Sequence, residues 1–164
     1  MKSRRFLRAL FGLALRIFFR RIEIEGSERV PLEGPVIFVL NHPNSLVDPL
    51  VLLCFAPRPV SFLAKAPLFR MPLVSFFVRR FDSIPVHRRQ DEGGGTDSSR
   101  NRETFQRARE LLSRGGSLAL FPEGASHNEP KLLALKTGAA RIALGTAAQG
   151  LASLQIVPML LYYT

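Results

Sequence analysis

Short continuous apolar runs alternate with segments of helical spacing along most of this chain. The runs at 36–40 and 118–121 are typical of strands that are buried on both faces of a sheet. The pattern as a whole predicts strands at 21–25, 36–40, 60–64, 81–86, 118–121 and 154–161, and helices at 1–21, 49–55, 67–79, 103–114 and 137–148. Because strands and helices alternate, we expect an α/β fold in which helices flank a mixed central sheet.

The length of 164 residues suits one domain with a substantial core. We expect this domain to span residues 22–164 and to follow a basic amphipathic helix at 1–21. Cys54 is the single cysteine and lies inside an apolar run, so it cannot form an internal disulfide and is expected in the core. The stretch 91–102, which contains three consecutive glycines, is expected to be a flexible loop within the domain.

The net charge of +10 predicts an anionic partner. Residues 1–25 hold seven basic and two acidic side chains, and therefore half of this excess. Arginines interrupt the apolar residues of this segment too often for a bilayer span, which needs about 20 apolar residues. We expect a peripheral or monotopic helix in an anionic membrane interface, on the cytoplasmic face. The alternative is an ordinary amphipathic first helix with a solvated basic face.

Nucleic acid would also suit a basic chain. However, the sequence contains no helix-turn-helix, zinc-finger or RNP-like pattern. We therefore expect no nucleic-acid partner.

Polar clusters directly follow two of the predicted strands. His42 and, six residues later, Asp48 come after the run at 36–40, and Glu123 comes after the run at 118–121. The carboxyl ends of strands are where α/β proteins commonly build their sites. A histidine held by a carboxylate can take a proton from a hydroxyl group. We predict His42 as a general base that acts on a hydroxyl of the substrate, with Asp48 orienting it, since no serine or cysteine nucleophile is suitably placed.

The two side chains meet only if His42 lies before the helix, because an offset of six residues on a regular helix separates them by about 120°. Pro43 disfavours helix at His42, and Pro49 suits the first helical position. Taken singly, Asp48 could be a helix N-cap and His42 a hydrogen-bonded turn residue. Both alternatives stay open at this point.

Four further residues are weaker candidates. Glu123 could bind a hydroxyl, orient a backbone group or be a solvated turn residue. Arg88, just past a predicted strand, could hold a phosphate or belong to a basic surface loop. Lys136 could face an anion near a helix N-terminus or be solvated, and His127 is either a supporting group or a surface residue. The known elbow, P-loop and zinc-binding patterns are absent from the sequence, so we expect acid–base chemistry without a metal or cofactor.

These residues resemble the four sequence blocks of the glycerolipid acyltransferases, in the same order and over about residues 25–161. The blocks are His42…Asp48, Ile84-Pro85-Val86-x-Arg88, Phe121-Pro122-Glu123-Gly124 and Ile156-Val157-Pro158. The resemblance implies a glycerol-3-phosphate acyltransferase-like fold and a role in phospholipid biosynthesis. A fatty acyl group would move from acyl-CoA or acyl carrier protein to a hydroxyl of lysophosphatidic acid or glycerol 3-phosphate.

The resemblance also implies roles for individual residues. His42 would be the general base and Asp48 its orienting partner. Arg88, Glu123 and Gly124 would bind the glycerol-phosphate part of the acceptor, with Lys136 a weaker candidate. The block at 156–158 would contribute to binding the acyl chain or thioester.

Three features depart from the family pattern. Five residues separate His42 from Asp48 where the family usually has four, which affects the geometry expected of the pair. Ser83 stands where a glycine is usual, and Ala125-Ser126-His127 replaces the common Thr-Arg-Ser. Family members also continue beyond the equivalent of residue 164, so we expect a truncated chain.

Two other functions compete with acyl transfer. A non-catalytic basic module that docks on anionic membranes would explain the first 25 residues equally well, but leaves the clustered polar residues unexplained. A thioester hydrolase would use the same base on water, but leaves the predicted phosphate-binding groups without a purpose.

Overall fold

The computed structural model describes residues 2–87, 98–127, 129 and 131–164. Within these residues the chain forms helices α1 (Lys2–Phe18), α2 (Val47–Phe55), α3 (Pro72–Arg80), α4 (Ser98–Ser113) and α5 (Gly138–Ala147), and strands β1 (Val36–Leu40), β2 (Ser61–Lys65), β3 (Ile84–Val86), β4 (Ser117–Leu120) and β5 (Gln155–Met159). Two short 3-10 helices, Ser27–Arg29 and Ala66–Arg70, complete the described elements.

The strands form one sheet in the order β3-β2-β4-β1-β5. All four pairings between these strands are parallel, and Val36 of β1 lies opposite Ser117 of β4 and Gln155 of β5. The predicted α/β class with flanking helices is confirmed, but the sheet is parallel where a mixed one was expected. Parallel pairing follows from the connections, because a helix between two strands returns the chain to the end of the sheet at which the first strand began.

The core lies on both faces of the sheet. Phe38 of β1 packs with Leu52 of α2 on one face, whereas Ile37 packs with Leu112 of α4 and Ile142 of α5 on the other. Successive residues of a strand point to opposite faces, so the continuous apolar run of β1 supplies both layers. Cys54 is buried, as predicted.

Three predicted elements differ from the structure. Residues 21–25 form no strand, and no strand of the described residues pairs with them. The predicted helix at 67–79 is divided at Met71, whose backbone is extended because Pro72 follows it. The strand predicted at 81–86 begins only at Ile84, since Phe81 and Asp82 form the turn that ends α3.

Helix α1 packs against the rest of the domain through its basic side chains. Arg8 donates hydrogen bonds to the carbonyl oxygens of Cys54 and Ala56, and Arg4 to that of Val60. Large apolar side chains of α1 remain exposed, namely Phe6, Leu10, Leu13, Ile17 and Phe18. In the part of the chain that the structure describes, no helix has the length and apolarity needed to cross a membrane.

Candidate active site

The predicted residues His42 and Glu123 lie just beyond the carboxyl ends of β1 and β4, which are neighbours in the sheet. His42 follows β1 by two residues, and Glu123 follows β4 by three. Strand β5 pairs with β1 on its other side and in parallel, so the segment after Met159 lies at the same carboxyl end of the sheet. Parallel pairing therefore brings three loops of the chain to one place.

His42 and Asp48 form a close pair. The Nδ1 atom of His42 lies 2.8 Å from Oδ2 of Asp48. The Asp48 side chain is fully buried, whereas that of His42 is 13% exposed. If Nδ1–H donates to the carboxylate, the lone pair of the ring lies on Nε2, the atom that is free to act as a base.

The turn before α2 accommodates the five residues between His42 and Asp48. The side-chain oxygen of Asn44 accepts hydrogen bonds from the backbone N–H groups of Leu46 and Val47, at 3.2 and 3.1 Å. Asn44 also donates its own backbone N–H to Oδ2 of Asp48, at 2.8 Å. The helix therefore begins at Val47, two residues before Pro49, and the Asp48 side chain makes no N-cap bond. The N-cap interpretation of Asp48 is wrong.

Phe121 packs against the imidazole of His42. The two rings are stacked, with centroids 3.8 Å apart and planes 12° from parallel. Phe121 directly follows β4, so the neighbouring strand supplies the wall that limits rotation of the histidine ring. The sequence shows an aromatic residue here, but only the pairing of β1 with β4 reveals this contact.

The carboxylate of Glu123 is buried, at 3% exposure, and accepts hydrogen bonds from the protein itself. Its donors are the backbone N–H of His42 at 3.2 Å, the backbone N–H of Leu133 at 2.9 Å, and Nε2 of His127. Burial by itself would raise the pKa of Glu123, but the bonds from Leu133 and His127, the charge attraction of His127 and the bond from His42 hold this pKa below its usual value. This geometry matches the expectation that Glu123 orients a backbone group.

Gly124 and Lys136 lie beside Glu123. Gly124 has a φ of 72°, and its N–H closes a turn by donating to the carbonyl of Phe121 at 3.0 Å. A Cβ atom on Gly124 would lie 2.6 Å from Nζ of Lys136, so the lysine side chain passes over this glycine. The backbone N–H of Lys136 donates to the carbonyl of Pro122 at 2.8 Å. The structure therefore brings the predicted residues Glu123, Gly124 and Lys136 together next to His42.

Arg88 and most of the predicted loop at 91–102 lie outside the described residues, so the predicted phosphate-binding role of Arg88 stays a prediction. Residues 98–102 belong to α4. His127, which replaces the serine of the common family triplet, supports Glu123. No three His, Cys, Asp or Glu side chains of the described ranges come together in a way that could hold a metal ion.

Tyr163 is a site residue that the sequence did not reveal. Its hydroxyl donates to Oδ1 of Asp48 at 2.5 Å, across 115 positions of sequence. The side chain of Asn41 fixes this segment by accepting from the N–H of Leu161 at 2.7 Å and donating to its carbonyl at 2.8 Å.

Comparison with known proteins identifies the family of this arrangement. The family model described as "Acyltransferase" matches residues 21–162. The chain belongs to the acyltransferase family. Matched relatives include the chloroplastic 1-acyl-sn-glycerol-3-phosphate acyltransferase LPAT1 of Arabidopsis thaliana, which is 30% identical over 78% of this chain and 34% of its own length. The glycerol-3-phosphate O-acyltransferase 1 of Saccharomyces cerevisiae is 42% identical over 45% of this chain and 10% of its own length.

A solved structure of an acyltransferase has the same fold. The crystal structure of PlsC, the 1-acyl-sn-glycerophosphate acyltransferase from Thermotoga maritima, matches with a TM-score of 0.65 and 26% identity, over 88% of this chain and 56% of that one. The resemblance to glycerolipid acyltransferases is thus confirmed. The present acyltransferase chain spans about a third of the length of the first curated relatives that it matches.

Proposed function

We propose that this acyltransferase moves a fatty acyl group from acyl-CoA, or from acyl carrier protein, to a hydroxyl of a glycerol-phosphate acceptor. The acceptor is lysophosphatidic acid or glycerol 3-phosphate, and the product belongs to phospholipid biosynthesis. The observation that carries this proposal is the 2.8 Å contact between Nδ1 of His42 and the buried Asp48, at the carboxyl end of a central strand.

In this mechanism His42 acts as the general base and Asp48 as its orienting partner. Nε2 of His42 takes the proton of the acceptor hydroxyl as its oxygen attacks the thioester carbonyl carbon. The negative charge of Asp48 stabilises the imidazolium that forms. As the carbon–sulfur bond breaks, the imidazolium returns the proton to the leaving thiolate, so the products are an ester and a free thiol.

The charge around the base suits a phosphorylated acceptor. Lys136 supplies a cation beside Gly124, whose missing side chain leaves room for the lysine to pass over the turn. Arg88 is proposed as a second cation, since guanidinium groups bind phosphate in a bidentate manner. Glu123 shapes this region by fixing the backbone of His42, so its part in acceptor binding is indirect.

We further propose that α1 holds the enzyme on an anionic membrane surface at its cytoplasmic face. Its exposed apolar side chains are accompanied by the exposed basic side chains of Arg5 and Arg16, the combination that favours the bilayer interface. A long-chain acyl donor and a lysophospholipid acceptor would both be reached from that position.

The test is release of free thiol from palmitoyl-CoA and from palmitoyl-acyl carrier protein. Each donor is offered without acceptor and with glycerol 3-phosphate, dihydroxyacetone phosphate or lysophosphatidic acid, on anionic vesicles. Thiol release that requires one acceptor supports the proposal and identifies the substrate. Release without acceptor favours thioester hydrolysis, and no release with any pair from folded protein favours the non-catalytic membrane module.

The His42→Ala variant tests the assigned base. We expect its acceptor-dependent rate to fall by a factor of about 100 or more, the usual contribution of a positioned general base. Gln106→Ala is the matched control, because this exposed side chain contacts Glu110 and belongs to α4, a helix that carries none of the site residues. A near-normal rate for His42→Ala would exclude the proposed mechanism.

A further inference from the structure

The carboxylate of Asp48 uses both of its oxygen atoms within the protein. Oδ2 faces Nδ1 of His42 and the backbone N–H of Asn44, each at 2.8 Å. Oδ1 accepts the hydroxyl of Tyr163 at 2.5 Å. Since the Asp48 side chain is fully buried, these donors, and not bulk solvent, satisfy its carboxylate. The orientation of the carboxylate therefore depends on donors at both ends.

From this geometry we infer that Tyr163 is a positioning residue of the active site, which fixes the Asp48 carboxylate so that Oδ2 meets the imidazole of His42. The inference rests on the proposed function, in which His42 is the base. Tyr163 would not touch the substrate and would act through Asp48.

The hydroxyl of Tyr163 can serve in this way because it keeps its proton. Burial, the hydrogen bond to Asp48 and the negative charge of Asp48 all raise the pKa of Tyr163 above its usual value. The hydroxyl is consequently a donor throughout the working pH range, and Asp48 can stay an acceptor towards both Tyr163 and His42.

The segment that carries Tyr163 is itself held against the loop of His42. Asn41, which directly precedes His42, makes two hydrogen bonds to the backbone of Leu161. The ring of Tyr163 also packs on that of Phe19, with centroids 5.7 Å apart. These contacts restrict the tyrosine to one position before any substrate binds, as an orienting group requires.

Among the described residues, the titratable side chains that contact Asp48 come from two segments. His42 lies after β1 and Tyr163 after β5. Glu123 and His127, after β4, meet the backbone of His42 and do not face the carboxylate of Asp48. Removing the Tyr163 hydroxyl would leave more negative charge on the Asp48 oxygen that holds His42. The pH dependence of the rate would then change.

The experiment compares Tyr163→Phe with Tyr162→Phe in the acyl-transfer assay. Tyr163→Phe removes one hydroxyl but keeps the ring that packs on Phe19. Tyr162 is the neighbouring tyrosine and is 81% exposed, so it is a matched control. For Tyr163→Phe we expect kcat to fall about tenfold, as loss of one bond to a charged group predicts, with KM for both substrates nearly unchanged. The acid limb of kcat against pH should move to higher pH, whereas Tyr162→Phe should match the wild type.

A second measurement is independent of activity. NMR of ¹⁵N-labelled histidine reports which ring nitrogen of His42 carries the proton, and only three histidines of the chain give such signals. The wild type should show a proton on Nδ1 of the neutral ring, and Tyr163→Phe should populate the Nε2–H tautomer as well.

Each result decides the inference. A slower Tyr163→Phe enzyme with a displaced pH profile supports it. Unchanged kcat and an unchanged His42 tautomer would overturn it, as would a loss that only follows a lower melting temperature while the pH profile stays in place. If the wild type transfers no acyl group, the proposed function fails, and the NMR tautomer alone decides whether Tyr163 positions the pair.

Discussion

Gly124 offers a direct test of how the turn after β4 supports the site. Its φ of 72° is a left-handed conformation, which costs an L-residue with a Cβ roughly 1–2 kcal/mol. An alanine also stabilises the protein by about 0.4–1 kcal/mol by restricting the unfolded chain. For Gly124→Ala the two terms leave a loss of about 1 kcal/mol in the free energy of unfolding.

The matched control is Gly26→Ala. Gly26 has nearly the same φ, 71°, but a Cβ there would have no heavy atom within 4 Å, whereas a Cβ on Gly124 would lie 2.6–2.8 Å from three atoms of the Lys136 side chain. Both variants should lose about 1 kcal/mol of stability, or about 2–4 °C in melting temperature for a domain of this size. Gly124→Ala should in addition push Lys136 aside, because the end of a lysine yields more easily than backbone.

The assay pairs urea denaturation with the KM for the phosphorylated acceptor. We expect KM to rise severalfold for Gly124→Ala and to stay unchanged for Gly26→Ala. Adding Gly124→Ala to Lys136→Ala should raise KM little further, because the two changes act on one contact. Equal KM values for Gly124→Ala and Gly26→Ala would exclude this role of Lys136. Unchanged stability of both variants would exclude backbone strain at the positive φ.

Three other changes test separate parts of the structure. Because the pKa of Glu123 is lowered on folding, its carboxylate stabilises the fold above the unfolded pKa of about 4.5 and loses this effect as pH falls through the folded pKa. In urea melts, Glu123→Gln should be less stable than wild type by about 1–3 kcal/mol at pH 7. This difference should disappear when the pH falls below the folded pKa of Glu123. Arg58 is buried and donates to the carbonyls of Pro31, Gly34 and Gly115, so Arg58→Met should lower stability by about 3 kcal/mol while kcat of the folded enzyme is retained. A variant lacking residues 1–21 should lose sedimentation with anionic vesicles, and undiminished binding would exclude α1 as the anchor.

The parts of the site that lie within one loop could be predicted from the sequence. His42 and Asp48 are six residues apart, and the prolines around them indicated that His42 precedes the helix. Glu123 and Gly124 formed a recognisable block after an apolar run. These predictions needed only local backbone preferences and the rule that sites form at the carboxyl ends of strands.

The contacts between loops could not be predicted in the same way. Phe121 stacks on His42 because β4 pairs with β1, and Tyr163 reaches Asp48 because β5 pairs with β1 on its other side. Phe121 belongs to the block at 121–124, but nothing in that block shows that its ring packs on His42, and Tyr163 carries no sequence pattern that marks it. The order of strands in the sheet decides these neighbours, and hydrophobic periodicity gives no information about that order.

The spacing between His42 and Asp48 shows how distance along the chain relates to distance in space. The additional residue would displace Asp48 if the backbone between the pair were regular. It is not regular, because the side chain of Asn44 accepts hydrogen bonds from the backbone N–H groups of Leu46 and Val47. These bonds form a turn that leads into α2 at Val47, and the additional residue lies in that turn. The 2.8 Å contact is then completed from both sides of the carboxylate, by the backbone of Asn44 and by the hydroxyl of Tyr163. A motif defined by residue count alone would exclude this chain, whereas its hydrogen bonds bring His42 and Asp48 together despite the extra residue.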